Sequence, residues 1–140
     1  SFQGVRKIFK KEFEAPILVA DYMTTKLITF SPDESILTVM EKFAKHHISG
    51  GPVLDNNGFL VGIISEADCM KQISESRYFN QPILDKNVEN FMTKSVETIP
   101  HDISIFDAAG IFAQHNRRRL PVMKSGILVG QISRYCYRSS

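Results

Sequence analysis

The 140-residue chain is 43% hydrophobic and 23% charged, proportions that are typical of a folded globular protein and exclude a disordered one. Its formal charge of +2 at pH 7 is too small for a dedicated nucleic-acid binder, and no apolar run approaches the roughly 20 residues that cross a bilayer. Because the first residues lack a signal-peptide core and there are only two cysteines, we expect a cytoplasmic protein.

The chain contains a long internal repeat. Shifted by 69 residues, Val19–Val53 aligns with Val88–Val122 without a gap, and 12 of the 35 residue pairs are identical. After one missing turn residue, Gly58–Ser65 aligns with Gly126–Ser133 at an offset of 68. A repeat of this length copies a whole supersecondary unit, because solenoid repeats are shorter. We predict an N-terminal arm or helix at 1–18, a first repeat at 19–76, a linker at 77–87 and a second repeat at 88–140.

The first repeat begins with a predicted strand and helix. Leu27–Phe30 is a short β-branched and aromatic run, which predicts a strand. Ser31–Glu34 combines an N-cap serine, a proline at the first helical position and a glutamate at N3, so it predicts a helix start. The spacing of the following residues predicts one buried helical stripe: Ile36, Met40, Phe43, Ala44 and His47.

A hairpin and a second helix follow. The pair Asn57-Gly58 between two apolar runs predicts a tight turn, because both positions tolerate positive φ. Phe59–Ser65 is almost continuously apolar, as in a strand covered on both faces. Ser65 is the predicted N-cap of a helix that starts at Glu66.

The second repeat predicts the same elements. We expect a strand at Val96–Ile99, a helix from about Asp102 to His115, and strands around Val122 and at Leu128–Ser133. The chain stops at Ser140, two turns into the last predicted helix, so we interpret it as part of a longer protein. Each β-α-β-β-α repeat leaves an apolar sheet face uncovered, so the predicted fold class is α+β, with both repeats packed as a pseudo-two-fold disc that has two clefts.

Several short motifs carry a family resemblance. Met23-Thr24, Ser31-Pro32-Asp33, the run from His47 to Val53, and Gly62–Asp68 occur in this order, and the second repeat follows the same pattern. Over about residues 18–138 the chain resembles a tandem pair of CBS domains, also called a Bateman module. The resemblance implies a regulatory module without catalysis, an energy or metabolite sensor that binds AMP, ADP, ATP or another adenosyl compound such as S-adenosylmethionine between the repeats. It also implies a homodimer of discs.

The junction Ser65–Asp68 is the main candidate site. A strand that runs into a helix presents backbone N–H groups and a positive dipole end, both of which suit a phosphate. Ser65 adds a hydroxyl, and the two oxygens of Asp68 can accept from both hydroxyls of a ribose. In the resembled family the aspartate at this position contacts ribose. An ordinary N-cap serine with a first-turn aspartate is the alternative interpretation.

Arginines supply the predicted phosphate contacts. Arg117–Arg119 stand directly before Leu120-Pro121, where the resemblance places basic residues opposite the other repeat's aspartate. A solvated charge run at a helix end is the alternative. Ser95 and Val96 are the matching positions for adenine. The predicted nucleotide-binding residues are therefore Ser65, Asp68, Ser95, Val96, Arg118, Arg119 and Leu120.

The second cleft has no equivalent of the aspartate or of the three arginines. Cys136 stands where the first repeat has Asp68, and Ile48-Ser49-Gly50 aligns with the three arginines. A thiol is a poor ribose acceptor, so we expect weak or no nucleotide binding there. The residues assigned to this weaker cleft are Leu27, Ser49 and Ser133.

Other functions receive less support. The chain has no glycine-rich phosphate loop, HExxH motif or CxxC pair, which does not favour an enzyme or a metal site. His46 and His47 are adjacent and point to different helix faces, and His46 and His115 occupy equivalent helix ends where capping explains them. The remaining alternative is a structural dimerisation module with vestigial clefts that bind nothing.

Overall fold

A computed structural model describes residues 17–80, 82 and 86–134. Its helices and strands confirm the predicted α+β class. In chain order the elements are α1 (Val19–Tyr22), α2 (Ile36–His46), β1 (Gly50–Leu54), β2 (Leu60–Ser65), α3 (Glu66–Tyr78), α4 (Val88–Phe91), β3 (Ile99–Pro100), α5 (Ile105–His115), β4 (Arg119–Lys124) and β5 (Ile127–Ser133). In these ranges no helix is long and apolar enough to cross a bilayer.

The described residues form two compact units whose boundaries differ from those of the sequence repeats. Unit 1 contains 17–25, 98–125 and 129–134, and unit 2 contains 26–80, 82, 86–97 and 126–128. Each unit therefore combines most of one repeat with the opening segment of the other. The predicted arm lies almost entirely outside the described residues, and α3 extends to Tyr78, into the predicted linker.

In unit 2 the short helix α4 packs on the first repeat. The Val88 N–H donates to the Glu34 carbonyl and the Glu89 N–H to the Pro32 carbonyl, each at 2.9 Å. Thr93 and Ile63 then exchange two backbone hydrogen bonds of 2.9 Å, which add the chain after α4 to the edge of β2. A four-residue helix is not stable alone, so burial of Val88 explains its position.

Unit 1 repeats this arrangement with the roles of the repeats reversed. The Val19 N–H donates to the Ile103 carbonyl at 2.9 Å and the Ala20 N–H to the His101 carbonyl at 3.1 Å. Thr24 and Gln131 exchange hydrogen bonds of 2.8 and 3.0 Å. The residues that donate and accept these hydrogen bonds in unit 1 are the repeat equivalents of those in unit 2, at alignment offsets of 69 and 68 residues.

Each unit has its own hydrophobic core and sheet. Strands β1 and β2 form an antiparallel pair in unit 2, and the sheet order β3-β4-β5 includes a parallel β3–β4 pair. The core of unit 2 consists of Phe30, Ile36, Val39, Phe43, Val53, Ile64, Cys69, Val88 and Phe91. The core of unit 1 consists of Val19, Ile99, Ala108, Phe112, Leu120, Val122 and Ile132.

The predicted helix starts were early by several residues. Ser31 and Glu34 do interact, since the Ser31 N–H donates to Glu34 Oε1 at 2.9 Å, but they form a turn that precedes the helix. The N-cap of α2 is Ser35, whose hydroxyl accepts from the Thr38 N–H at 3.2 Å. Ser104 caps α5 in the same way, so the predicted start near Asp102 was also early.

The buried stripe of α2 also differs from the prediction. Ile36 and Phe43 are buried and Met40 is half-buried, as expected, but Val39 is the other core residue and Ala44 is exposed. His47 is exposed because it ends the helix in the left-handed conformation, with φ 53°. Asn116 ends α5 with φ 49°, so neither helix continues its stripe past this point.

The first predicted strand of each repeat is shorter in the structure. In Leu27–Phe30 only Phe30 forms a bridge, to Val53, and β3 begins at Ile99 rather than Val96. The two strands of each hairpin were predicted correctly to within a few residues.

The two hairpins turn by different means. In the first, only Gly58 has positive φ, and Asp55 Oδ1 accepts from the Asn57 and Phe59 N–H groups at 2.9 Å. In the second, Ser125 and Gly126 have φ values of 51° and 79°, as in a two-residue type I′ turn. The missing residue of the second repeat therefore converts a wider, aspartate-organised loop into a tight turn.

Candidate ligand site

Ser65 and Asp68 form a reciprocal capping box at the start of α3. The Ser65 hydroxyl accepts from the Asp68 N–H at 3.1 Å, and Asp68 Oδ2 accepts from the Ser65 N–H at 3.1 Å. The alternative interpretation from the sequence, an N-cap with a first-turn aspartate, is therefore what the local structure contains. In the described part of the chain, Asp68 Oδ1 has no hydrogen-bond partner, so one carboxylate oxygen lies outside the box.

Two of the first three backbone N–H groups of α3 already have internal acceptors. The Glu66 N–H donates to the Ser49 carbonyl at 2.8 Å, and the Asp68 N–H is held by Ser65. The sequence predicts a phosphate at these groups. With these two N–H groups satisfied within the protein, the side-chain groups at this junction are the Ser65 hydroxyl and the Asp68 carboxylate, which suit a sugar hydroxyl.

The residue after Asp68 anchors the helix in the core. Cys69 has no exposed surface. Its burial, followed by the negative charges of Asp68 and Glu66, raises the pKa of the thiol to about 11. The thiol is therefore protonated at neutral pH and is not a nucleophile.

Gly62 sets the distance between β2 and the chain after α4. A Cβ atom at this position would lie 2.6 Å from Met92 Sδ and 3.0 Å from the Thr93 carbonyl oxygen. The absence of a side chain lets the Thr93 backbone pair with Ile63. Ser95 and Val96 follow Thr93 by two and three residues. Ser95 is exposed and Val96 is half-buried. Unit 2 therefore contains four of the predicted site residues: Ser65, Asp68, Ser95 and Val96.

The other predicted residues belong to unit 1. Arg118 is exposed and Arg119 is half-buried at the start of β4. Leu120 is only 1% exposed and packs in the core, so its side chain is not available to a ligand, because burial against Val122 and its neighbours determines its position. The assignment of Leu120 to the site therefore stays a prediction, and only its backbone could contact a ligand.

Arg134 is a candidate that the sequence reasoning missed. Its backbone N–H donates to the Arg118 carbonyl at 2.7 Å, just as Glu66 donates to Ser49 in unit 2. Its guanidinium Nη1 lies 3.4 Å from Asn116 Oδ1. The alignment did contain a signal, since it places Arg134 against Glu66 and thus reverses the charge at the end of the hairpin.

The residues of the weaker predicted cleft are divided between the units. Leu27 is half-buried and Ser49 is exposed in unit 2, and Ser133 is exposed in unit 1. Cys136 and most of the last predicted helix lie outside the described residues. Within 17–80, 82 and 86–134, no group of three or more His, Cys, Asp or Glu side chains is placed to hold a metal ion.

Comparison with known families decides the classification. The sequence model of the CBS domain matches residues 19–75 and 88–135. The chain belongs to the CBS domain family. Its two matches make it a tandem CBS pair, which confirms the resemblance drawn from the motifs.

One relative of known sequence and two solved structures each match most of the chain. An uncharacterized 17.7 kDa protein of Acidianus ambivalens is 34% identical over 116 residues, which are 82% of this CBS pair and 67% of that protein. The crystal structure of CBSX2 in complex with AMP has a TM-score of 0.73 and 30% identity, covering 84% of this chain and 90% of that one. The CBS domain pair of MJ0100, in complex with 5′-methylthioadenosine and S-adenosyl-L-methionine, has a TM-score of 0.72 and 28% identity, covering 85% and 90%.

Proposed function

We propose that this CBS pair is a regulatory, non-catalytic module of the cytoplasm that binds an adenosine-containing ligand and acts as an energy or metabolite sensor. The observation that carries the proposal is that two solved CBS pairs, 30% and 28% identical to this chain over most of its length, hold AMP and adenosyl compounds. AMP, ADP, ATP and S-adenosylmethionine are the ligands to be compared.

Asp68 is the proposed ribose-binding residue. Its Oδ2 is held by the Ser65 N–H, which fixes the orientation of the carboxylate, while Oδ1 remains for the hydroxyls of a sugar. A carboxylate held in this way loses little side-chain entropy on binding, so the capping box and ligand binding are compatible roles. In this proposal Arg118 and Arg119 contact phosphate, and the backbone near Ser95 and Val96 contacts adenine.

The proposal is tested by ligand-dependent thermal stability. A ligand present at about 100 times its Kd adds about 2.7 kcal/mol to the free energy of unfolding. We expect such a shift with at least one of the four ligands and its loss in Asp68→Ala. Because Asp68→Ala also removes half of a helix cap, worth about 1 kcal/mol, the matched control is Ser104→Ala, which removes the cap of α5.

The two variants separate folding from binding. Both should lower the melting temperature without ligand, but only Asp68→Ala should abolish the ligand-induced shift. An unchanged wild-type melting temperature with all four ligands, or an equal shift in Asp68→Ala, would contradict the proposal.

A structural dimerisation module is the second candidate function. Leu37 on α2 and Phe106 on α5 occupy equivalent positions of the two repeats, and they expose 49% and 54% of their surface. Exposed apolar residues at matching positions favour self-association. Light scattering that shows a dimer, together with no ligand-induced change in melting temperature, would favour this function over the sensor.

A further inference from the structure

Two of the five methionines occupy equivalent positions of the repeats. Met23 directly follows α1 and Met92 directly follows α4, so each stands at the C-terminal end of a four-residue helix. Met23 is half-buried against the core of unit 1, and Met92 is half-buried against the core of unit 2. Each opening segment that packs on the other repeat, 19–24 or 88–93, therefore carries one thioether.

Each of these thioethers covers a buried glycine. A Cβ atom added at Gly62 would lie 2.6 Å from Met92 Sδ and 3.0 Å from Met92 Cγ. The corresponding distances from Gly130 to Met23 are 2.6 and 2.9 Å. The methionine therefore fills the space that a side chain would take, and both glycines are buried beneath it. On this side the sulfur faces a residue that has no side-chain hydrogen-bond donor.

The same contact lies next to the hydrogen bonds that hold each opening segment. Directly after the methionines, Thr93 exchanges two backbone hydrogen bonds with Ile63, and Thr24 exchanges two with Gln131. Because a helix of four residues has no stability of its own, the segment stays in place only through such tertiary contacts. Thr24 and Thr93 are both exposed, so the two segments lie at the protein surface, within reach of small solutes.

A thioether in this position is open to one covalent reaction, oxidation by a peroxide. A sulfur lone pair attacks one oxygen of hydrogen peroxide, the O–O bond breaks, a sulfur–oxygen bond forms, and the second oxygen leaves as water. The sulfur is oxidised by two electrons and the peroxide is reduced. The product, methionine sulfoxide, is larger and polar. Beside the glycine there is neither space nor a side-chain donor for the added oxygen, so the side chain has to leave its packed position.

We propose that Met23 and Met92 are a pair of oxidation sites, at which a peroxide releases the opening segment of each repeat from the hairpin on which it packs. Methionine sulfoxide reductases reverse this chemistry, so the segments return when the sulfoxides are reduced. Ser95 and Val96 follow Met92 closely, so its oxidation also weakens adenosine binding. That consequence rests on the proposed function, whereas the oxidation sites rest on the packing within each unit alone.

The test is treatment of the whole chain with dilute hydrogen peroxide, followed by peptide mass spectrometry and amide hydrogen exchange. A Cys136→Ser background removes the thiol that lies outside the described residues. We expect sulfoxides at Met23 and Met92, and exchange at least about tenfold faster for the amides that pair the opening segments with the hairpins. The Val39 and Ala108 amides, which donate to residues of their own helix starts, should keep their rates. Methionine sulfoxide reductases A and B should restore slow exchange.

Two matched variants separate this pair from the other three methionines. Met23→Leu/Met92→Leu removes both thioethers and keeps side chains of similar volume. Met40→Leu/Met70→Leu/Met123→Leu leaves the proposed pair as the only methionines. We expect peroxide to accelerate exchange in the second variant as in the wild type and to have no such effect in the first. The reverse pattern would overturn the inference.

The remaining outcomes distinguish this inference from the proposed function. If Met23 and Met92 stay unoxidised in peroxide that fully oxidises Met70, which is 53% exposed, the inference is wrong. It is also wrong if both are oxidised and amide exchange does not change. If oxidation releases the segments but no adenosine ligand raises the melting temperature, the oxidation sites stand and the proposed function fails. If a ligand shift depends on Asp68 while peroxide changes nothing, the proposed function stands and the oxidation sites fail.

Discussion

In unit 2 the turn that receives α4 carries Glu34, whereas the equivalent turn of unit 1, which receives α1, carries Ile103. Glu34 Oε1 lies 2.9 Å from Lys42 Nζ, and this ammonium lies 5.1 Å from the centre of the Phe30 ring. The residue equivalent to Lys42 is Ile111. Ile103 and Ile111 both pack against the core of unit 1.

The two units also differ in a backbone N–H group next to these side chains. Glu34 Oε1 also accepts from the Ser31 N–H, and the residue equivalent to Ser31 is Pro100, which has no N–H to satisfy. Unit 1 therefore lacks both the carboxylate acceptor, replaced by Ile103, and the backbone N–H donor, replaced by Pro100. The comparison shows that this turn tolerates either an ion pair or an apolar pair, provided that every partner of the replaced group changes too.

The largest expected effect concerns a feature that both units share. Gly62 contacts the opening segment of the second repeat, and Gly130 contacts the opening segment of the first. A Cβ atom added at Gly130 would lie 2.6 Å from Met23 Sδ and 2.9 Å from the Thr24 carbonyl oxygen. We expect Gly62→Ala and Gly130→Ala each to lower the free energy of unfolding by about 2–3 kcal/mol, because the backbone of the docked segment has to move. Urea unfolding measures both, and clearly unequal losses would break the equivalence of the two units.

The next effect tests the difference between the units. Glu34→Ile alone should cost about 1–2 kcal/mol, because it leaves the Ser31 N–H without its acceptor and the Lys42 ammonium with only the Thr29 carbonyl. The triple variant Ser31→Pro/Glu34→Ile/Lys42→Ile copies unit 1 and should return to within about 1 kcal/mol of the wild type.

Urea unfolding of the single, double and triple variants gives the coupling energies among the three positions. Additive losses through the series would contradict the interpretation that the three replacements compensate one another.

The smallest effect has the opposite sign. Gly110 lies inside α5 at the position equivalent to Glu41 in α2, and a Cβ there would meet no atom within 4 Å. Gly110→Ala should stabilise the protein by about 0.5–1 kcal/mol, because alanine loses less conformational freedom in a helix. It is also the matched control for the two glycines above, since the chemical change is the same. A destabilised Gly110→Ala protein in the same urea assay would show that this helix face is covered.

Much of the local structure could be predicted from the sequence. The end of α5, the two hairpins and the cap at Ser65 each depend on a few neighbouring residues, so their patterns were sufficient. The start of α2 was predicted wrongly because Ser31–Glu34 has the same pattern whether it caps a helix or closes a turn. Its outcome depends on α4, whose N–H groups take the Pro32 and Glu34 carbonyls. Similarly, the sequence could not show that Leu120 is a core residue or that Arg134 lies beside Arg118.

The sequence by itself determined that this protein has two copies of one CBS unit, and it located the residues at which the copies differ in charge. Those conclusions need only alignment and local pattern. Only the tertiary structure decided that α1 packs with the second repeat and α4 with the first, and that two amides at the start of α3 are already satisfied. The physical reason is that helices of four residues have no stability of their own, so burial of Val19 and Val88 against distant parts of the chain determines where they lie.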